Sequence, residues 1–346
     1  MPYKFNGREI FPSAEMYHDA VPYAAGITMR EFFTDPVKCA EAWREAFIVI
    51  SDKTGGRVKL RDPSPAPFSY GHVVCLGASA VFPEDGEPNV KPLLSSVGDG
   101  LELLRGSKNM DFTGNDLFKY YIETGRVLRE YFPDRNVPVI SGFGSQGPVT
   151  TAMLLRGQDF LLDIYDEPEK SVEFLRLISE SVVEYQKCLR RLNGQPEISE
   201  STGLTDDFSS LIPPDMWPEF VIPFINQIFT GLAGAGKRSI HIENLSPKHL
   251  PYLKRLGIHH FQPSVSDLLT LENTKKYLDP GIEFDWLLYA YRLTEMDGAE
   301  IERWVSETVE AGVTSVRTQF GAYALAADKL GRVGAFLDAF KKYEIK

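Results

Sequence analysis

The sequence predicts an α/β fold whose parallel strands close into a (β/α)8, TIM-type barrel carrying an N-terminal helical and irregular extension. From Val137 onward, short apolar runs alternate with amphipathic helical stretches, which is the order of βαβ units and implies parallel strands with right-handed crossovers. No G-x-G-x-x-G follows a first strand and no P-loop occurs, which argues against the open doubly wound sheet of nucleotide-binding folds. The 346 residues, 43% of them hydrophobic, supply a full core, and no low-complexity tract divides them. Residues 1–346 therefore read as one domain, with 1–65 as the extension packed on the barrel.

The elements follow in order. Asp35 precedes Pro36 as an N-cap with proline at the first helical position, and Val37, Ala40, Trp43, Phe47 and Ile50 recur on one helix face. His72–Leu76 reads as a short strand leading into an acidic Pro/Gly-rich loop. Asn115–Tyr131 is an amphipathic helix ended by Pro133, and Val137–Ile140 is a short strand running into SGFGSQGP. Asp166 caps a long helix with Val172, Leu175, Ile178, Val182, Tyr185 and Leu189 as its buried stripe, stopped by Asn193-Gly194. A helix begins near Pro214 and bends at Pro223. Strands at 238–242, 258–262, 282–288 and 314–318 then alternate with helices at 247–256, 268–277, 297–311 and 324–342.

Composition excludes several function classes. A net charge of −11 with no basic stripe is wrong for a nucleic-acid surface, because phosphate binding needs clustered Lys and Arg. No run approaches the roughly 18 apolar residues that span a bilayer. The opening MPYKFNGREIF lacks the basic and apolar regions of a secretory signal. Cys39, Cys75 and Cys188 are odd in number and form no CxxC, which suits a reducing compartment and points to the cytoplasm.

Several segments resemble the uroporphyrinogen decarboxylase superfamily. GSQGPVTTAMLLRGQDFLLDIYDEPEKSVEFL is similar to its GP-F-T-x-A-x-x-x-x-G segment, with Val149 where Phe is usual. TDDFSSLIPPDMWPEFVIPF resembles its acidic strand end followed by PE-x-F-x-E-F-x-x-P, and HIENLSPKHLPYLKRLGI resembles H-x-C-G-N…L…L-x-x-x-G. The stretches AAGITMREFFTDPVKCAEAW and LGASAVFPEDGEPNV resemble its N-terminal half, so the likeness is collinear over nearly the whole chain. The superfamily holds two chemistries. Its heme-pathway decarboxylases carry an Arg-rich RQAGRY signature that grips substrate carboxylates, and the first 60 residues here have none. Its corrinoid-linked methyltransferases, such as the methylcobamide:coenzyme M enzymes, hold zinc through H-x-C and a later Cys. Here His241 is kept, Glu243 replaces the first Cys, and Gln319 or Phe320 stands where the second is expected.

The resemblance implies methyl transfer from a small donor, an aromatic methyl ether or an amine, to a cobamide on a separate corrinoid protein. His241 and Glu243, two apart on one strand, share a face at the barrel rim and could bind zinc or act as an acid–base pair. They could also be a hydrogen-bonded remnant. Asp207, preferred over Asp206, supplies an acid whose proton affinity burial would raise; either Asp could instead be a cap. Gln146, Gln262 and Gln319 at strand ends could orient a polar substrate or be solvated. Arg317 is an anion clamp or a structural ion pair. Phe143, Trp286 and Tyr289, with Tyr291, could line a flat apolar pocket or be core. His249, His259 and His260 read as satisfied histidines. Two other functions stay open: decarboxylation of a porphyrinogen, and a binding barrel without turnover.

Overall fold

The computed structural model describes residues 3–58, 60–264 and 266–345. Among them are nine strands: β1 (Tyr3–Phe5), β2 (Arg8–Met16), β3 (Ser79–Val81), β4 (Asn89–Lys91), β5 (Ser201–Thr205), β6 (Lys237–His241), β7 (His260–Gln262), β8 (Glu283–Leu288) and β9 (Ser315–Phe320). Seven form one sheet in the order β1-β2-β9-β8-β7-β6-β5. Every pairing from β2 to β5 is parallel, and β1 adds an antiparallel edge. β3 and β4 make a separate hairpin.

Two further positions of the (β/α)8 arrangement are short extended pieces around Phe68 and Phe143, joined by a parallel bridge. Phe68 N–H donates to Gly142 O at 2.6 Å, and Gly144 N–H donates to Phe68 O at 2.9 Å. Gly147 N–H reaches Thr205 O at 2.6 Å and ties the second piece to β5. Glycine is required at 142: φ is +73°, and a Cβ would sit 2.9 Å from Pro65 O. This seam has no regular ladder, which leaves room for a cavity.

The opening residues differ from the reading as an extension. Arg8–Met16 is a strand of the main sheet, paired with β9 from Phe11↔Ser315 to Met16↔Phe320. Pro12 disguises it in the sequence. Phe11 N–H donates to Thr314 O, so the residue-12 position points its amide away from β9, where proline loses nothing. The expected strand at His72–Leu76 is instead the helix Gly71–Cys75, fully buried, which explains its unbroken apolarity. The expected strand Val137–Ile140 lies earlier in the chain than the extended piece that joins the ring at Phe143.

Most helices match the reading. Asp35 caps Pro36–Thr54 by accepting from the Val37 and Lys38 amides. Asn115 caps Asp116–Tyr131 in the same way. The long helix is Pro168–Leu192 with Glu167, not Asp166, at its N-cap. The bend expected at Pro223 falls at Val221, where φ −126° and ψ −57° separate Trp217–Phe220 from Ile222–Ala233. Among the described residues no helix is long and apolar enough to cross a membrane.

Outward-facing residues of the strands, including Ile240, Phe261, Leu288, Val316 and Phe320, are buried under the helices. The alternate residues face the barrel axis.

Candidate functional site

Parallel strands put all their C-terminal ends on one side, and the loops that follow β5 and β6 meet there. Asp206 and Asp207 follow β5 directly. His241 ends β6, paired with Thr205, and Glu243 sits in the next turn, where Asn244 takes a left-handed φ of 57°. His241 Nε2 stands 3.5 Å from Asp207 Oδ1 and 3.8 Å from Glu243 Oε1. The Glu243 amide donates to Asp207 Oδ1 at 3.1 Å, fixing that carboxyl against the imidazole. The side chains are 23%, 31% and 39% exposed, so all three reach solvent. His241, Glu243 and Asp207 therefore converge.

Burial raises the proton affinity of Asp207, and the Glu243 carboxylate pushes the same way; His241 and the Glu243 amide oppose them and do not cancel the shift. Asp206, one residue earlier, has the opposite fate. It is fully buried and accepts from the Thr150 amide at 2.7 Å and the Val149 amide at 3.4 Å, capping the helix Pro148–Arg156 from outside its own chain segment. Gly147 permits this, because a Cβ there would lie 2.4 Å from Asp206 Cβ.

Three tyrosines feel these carboxylates. Burial, then Glu87, Asp19 and Glu243, pushes the Tyr17 hydroxyl up to about 12. Burial, then Asp207 and Glu87, raises Tyr70. Burial, then Glu243, raises Tyr289, whose ring stacks on Tyr291 at 5.8 Å. Tyr289 thus stands within electrostatic reach of Glu243. Tyr17 and Tyr70 were missed: the first hides behind the disguised strand β2, and the second lies in a Pro/Ser-rich stretch that shows no period.

The other predicted residues divide. Gln262 pairs with His241 across β6 and β7, and both line a cavity of about 250 Å³ with Thr205, Ser239 and His260. Arg317 points to the same axis but is neutralised there. It is ion-paired with Asp285 and Glu15, and with the Gln262 amide oxygen turned toward it Nη2 donates at 3.2 Å. It is held in ion pairs, and its buried Nε has no partner. Gln319 lies near the end of β9 opposite Glu15.

Trp286 and Phe143 are corrections, whereas the buried Gln146 keeps a side-chain oxygen without a partner. Trp286 alternates with the axis-facing Asp285 and packs outward on Phe284, ring centroids 6.3 Å apart, against the apolar layer holding Leu288 and Val316. Phe143 is 1% exposed and stacks on Tyr121 at 4.7 Å, so it belongs to the core. Gln146 is buried at the start of the helix Pro148–Arg156, its backbone oxygen accepting from Thr151 Oγ1. His249 is the satisfied histidine expected, bonded to Ser246 and Ile212 O. His260, on β7, is satisfied as well, bonding Asp285 Oδ1 at 3.0 Å, and it faces the axis.

Among the described residues no group of three His, Cys, Asp or Glu is arranged to hold an ion, and Asp207 Oδ1 accepts the Glu243 amide.

The uroporphyrinogen decarboxylase (URO-D) family model matches residues 72–276, more than half of the chain and the part that builds the β5–β6 site. The chain belongs to this family. No curated protein matches the sequence. Among solved structures, this URO-D chain is similar to a methyltransferase from Methanosarcina mazei, with TM-score 0.68 and 15% identity over 96% of this chain and 94% of that one. At that identity the likeness establishes the shared fold.

Proposed function

We infer that this URO-D family member is a methyltransferase that moves a methyl group from a small ether or amine donor to a cobamide on a separate protein. The observation that carries the reading is the convergence of Asp207, His241 and Glu243 at the barrel mouth. A methylated oxygen or nitrogen leaves poorly as an anion, so displacement of its methyl group needs a proton delivered to the leaving atom. Asp207 holds its proton to higher pH than an ordinary carboxyl and donates it there. His241 stands next to Asp207 and returns the proton. Glu243 fixes the geometry through its amide and favours the protonated form through its carboxylate. The tyrosines offer an apolar wall with polar tips for the donor.

The cobamide supplies the nucleophile that accepts the methyl group. The rim suits such a flat macrocycle on a docked partner: Tyr17, Phe208, Leu211, Leu268, Tyr291 and Tyr323 are exposed, and all six follow the C-terminal ends of barrel strands. Decarboxylation of a porphyrinogen fits less well, because a polycarboxylate would meet Asp207, Glu243, Glu87 and Asp19, while Arg317 is already paired.

The test supplies free cob(I)alamin and a panel of methoxyaromatic and methylamine donors, and follows methylcobalamin by its visible spectrum. Methylcobalamin formation that Asp207→Asn abolishes is the expected result. Coproporphyrinogen formed from uroporphyrinogen, with no methylcobalamin from any donor, overturns it.

A further inference from the structure

TIM-type barrels are usually filled along the axis by layers of branched aliphatic side chains. This one is polar there. His260 Nε2 bonds Asp285 Oδ1 at 3.0 Å. Ser315 Oγ donates to the same oxygen, Arg317 pairs with Asp285 Oδ2, and its other nitrogen pairs with Glu15 of β2. Charges inside a barrel are costly unless paired, and a buried pair seldom adds stability over an apolar one, so the network needs another reason to exist.

The cavities supply one. The cavity of about 250 Å³ that holds His241 and Gln262 is also lined by Ser239 and His260, with Val182, Ile228 and Leu232 as its apolar wall on the helix side. A second, of about 320 Å³, opens toward the N-terminal ends of the strands beside Lys237, Gly281 and Glu283, and it too is lined by Ser239 and His260. The same two residues therefore border both spaces. In the ladder Ser239 pairs with His260 and His241 with Gln262, so His260 lies one step below His241 on the next strand.

We propose that the barrel axis is a hydrated proton path, with the His260–Asp285 dyad as the relay between the Asp207–His241 site and solvent at the N-terminal mouth. The path rests on the reading above for the proton it carries. A partner docked on the rim covers the upper opening, and the proton consumed at each transfer must then arrive from elsewhere. Asp207 gives its proton to the leaving atom and recovers one from protonated His241. His241 is recharged through cavity water by protonated His260, which takes its proton from the lower cavity. One proton enters per methyl group moved, and no electron is transferred along the path.

His260 is suited to this by what faces it. The Asp285 bond raises its proton affinity, and the charges of Asp285 and Glu283 on β8 add to that; burial and Arg317 on β9 oppose. Lys237 and Ser239 on β6, Ser315 on β9 and Gln262 on its own strand complete the surroundings, with Glu15 acting through Arg317.

Hydrogen–deuterium exchange at the histidine C2 position, read by mass spectrometry on the full chain across pH, tests the path without any methyl donor. His72, fully enclosed, and His259, at the lower mouth, are internal references. His260 is expected to exchange within about threefold of His259, with a midpoint above the ordinary 6.5 that falls in Asp285→Asn. Ser239→Phe, or the milder Ser239→Val, is expected to slow His260 and leave His259 unchanged. Exchange at His260 as slow as at His72, an unmoved midpoint in Asp285→Asn, or a folded Ser239→Phe protein with unslowed His260 each overturns the path. Once a donor is known, His260→Gln should lower kcat about tenfold or more at unchanged KM, with recovery on adding imidazole. Wild-type kcat in that variant rejects the relay, whereas a wild type that moves no methyl group rejects the proposed function and leaves the exchange result standing.

Discussion

The two faces of β6–β9 differ as a core differs from a polar cleft. Toward the helices stand Ile240, Phe261, Leu288, Val316 and Phe320, all buried. Toward the axis stand Ser239, His241, His260 and Gln262, which border a cavity, and Asp285 and Arg317, which join His260 in one bonded network. The same backbone carries both, because successive side chains point to opposite faces. A one-residue change of parity thus exchanges stability for chemistry, and variants on the two faces should fail differently.

The largest effect is expected on the axis side of the site. Asp207→Asn removes the proton but keeps the shape and the acceptor for the Glu243 amide. Methyl transfer should fall by about 10²–10⁴, with the unfolding midpoint nearly unchanged. Loss of folding instead of turnover would make Asp207 a structural residue. The matching variant on the buried face is Phe261→Ala, which opens a cavity under the helices. It should cost about 3–5 kcal/mol in urea unfolding and leave kcat per folded molecule unaltered.

That parity explains how much of the protein was legible in its sequence. The barrel was legible because βα alternation recurs four times after Lys237, and His241, Glu243 and Asp207 were found because they stand at strand ends in a family pattern. Trp286 was misplaced because an aromatic looks like a pocket wall until its parity with Asp285 is counted. Asp285 is the axis-facing neighbour, and only its contact with His260 on another strand marks it. Phe143 and Tyr70 lie where the ring is built from short pieces instead of ladders, so no period shows their facing. Asp206 and Asp207 are indistinguishable as a dipeptide; a helix start more than fifty residues earlier decides between them.

That pair gives the next prediction. Asp206→Ala leaves the first amides of Pro148–Arg156 buried without an acceptor and should cost about 1–3 kcal/mol. Burial raises the Asp206 carboxyl to about 7 against the pull of those amides. The folded state thus binds its proton more tightly than the unfolded chain does. This contribution is fully present below 3.8 and is lost as pH rises through about 7. Asp206→Asn keeps an oxygen for the Thr150 amide and should flatten that slope, as urea midpoints across the range would show. A slope that persists in Asp206→Asn would assign it to another group.

The smallest effect concerns the polar axis, and its sign differs at the two ends of the pH range. Burial raises Asp285, but the bonds from His260 and Ser315 and the charge of Arg317 outweigh it and hold the carboxyl below its ordinary 3.8. Its contribution is present above 3.8 and is lost as pH falls through the lower folded value. His260 is raised above 6.5, so its contribution is present below 6.5 and is lost as pH rises through the higher folded value. Asp285→Asn removes both. The stability difference between wild type and variant should therefore be greatest between about pH 4 and 6.5, shrink toward acid, and fall toward base to a plateau set by Arg317, which stays charged. A difference that grows steadily from acid to base would mean that Arg317 alone holds Asp285, that His260 does not share its proton with the carboxylate, and that the axis is one more buried ion pair in an otherwise dry wall.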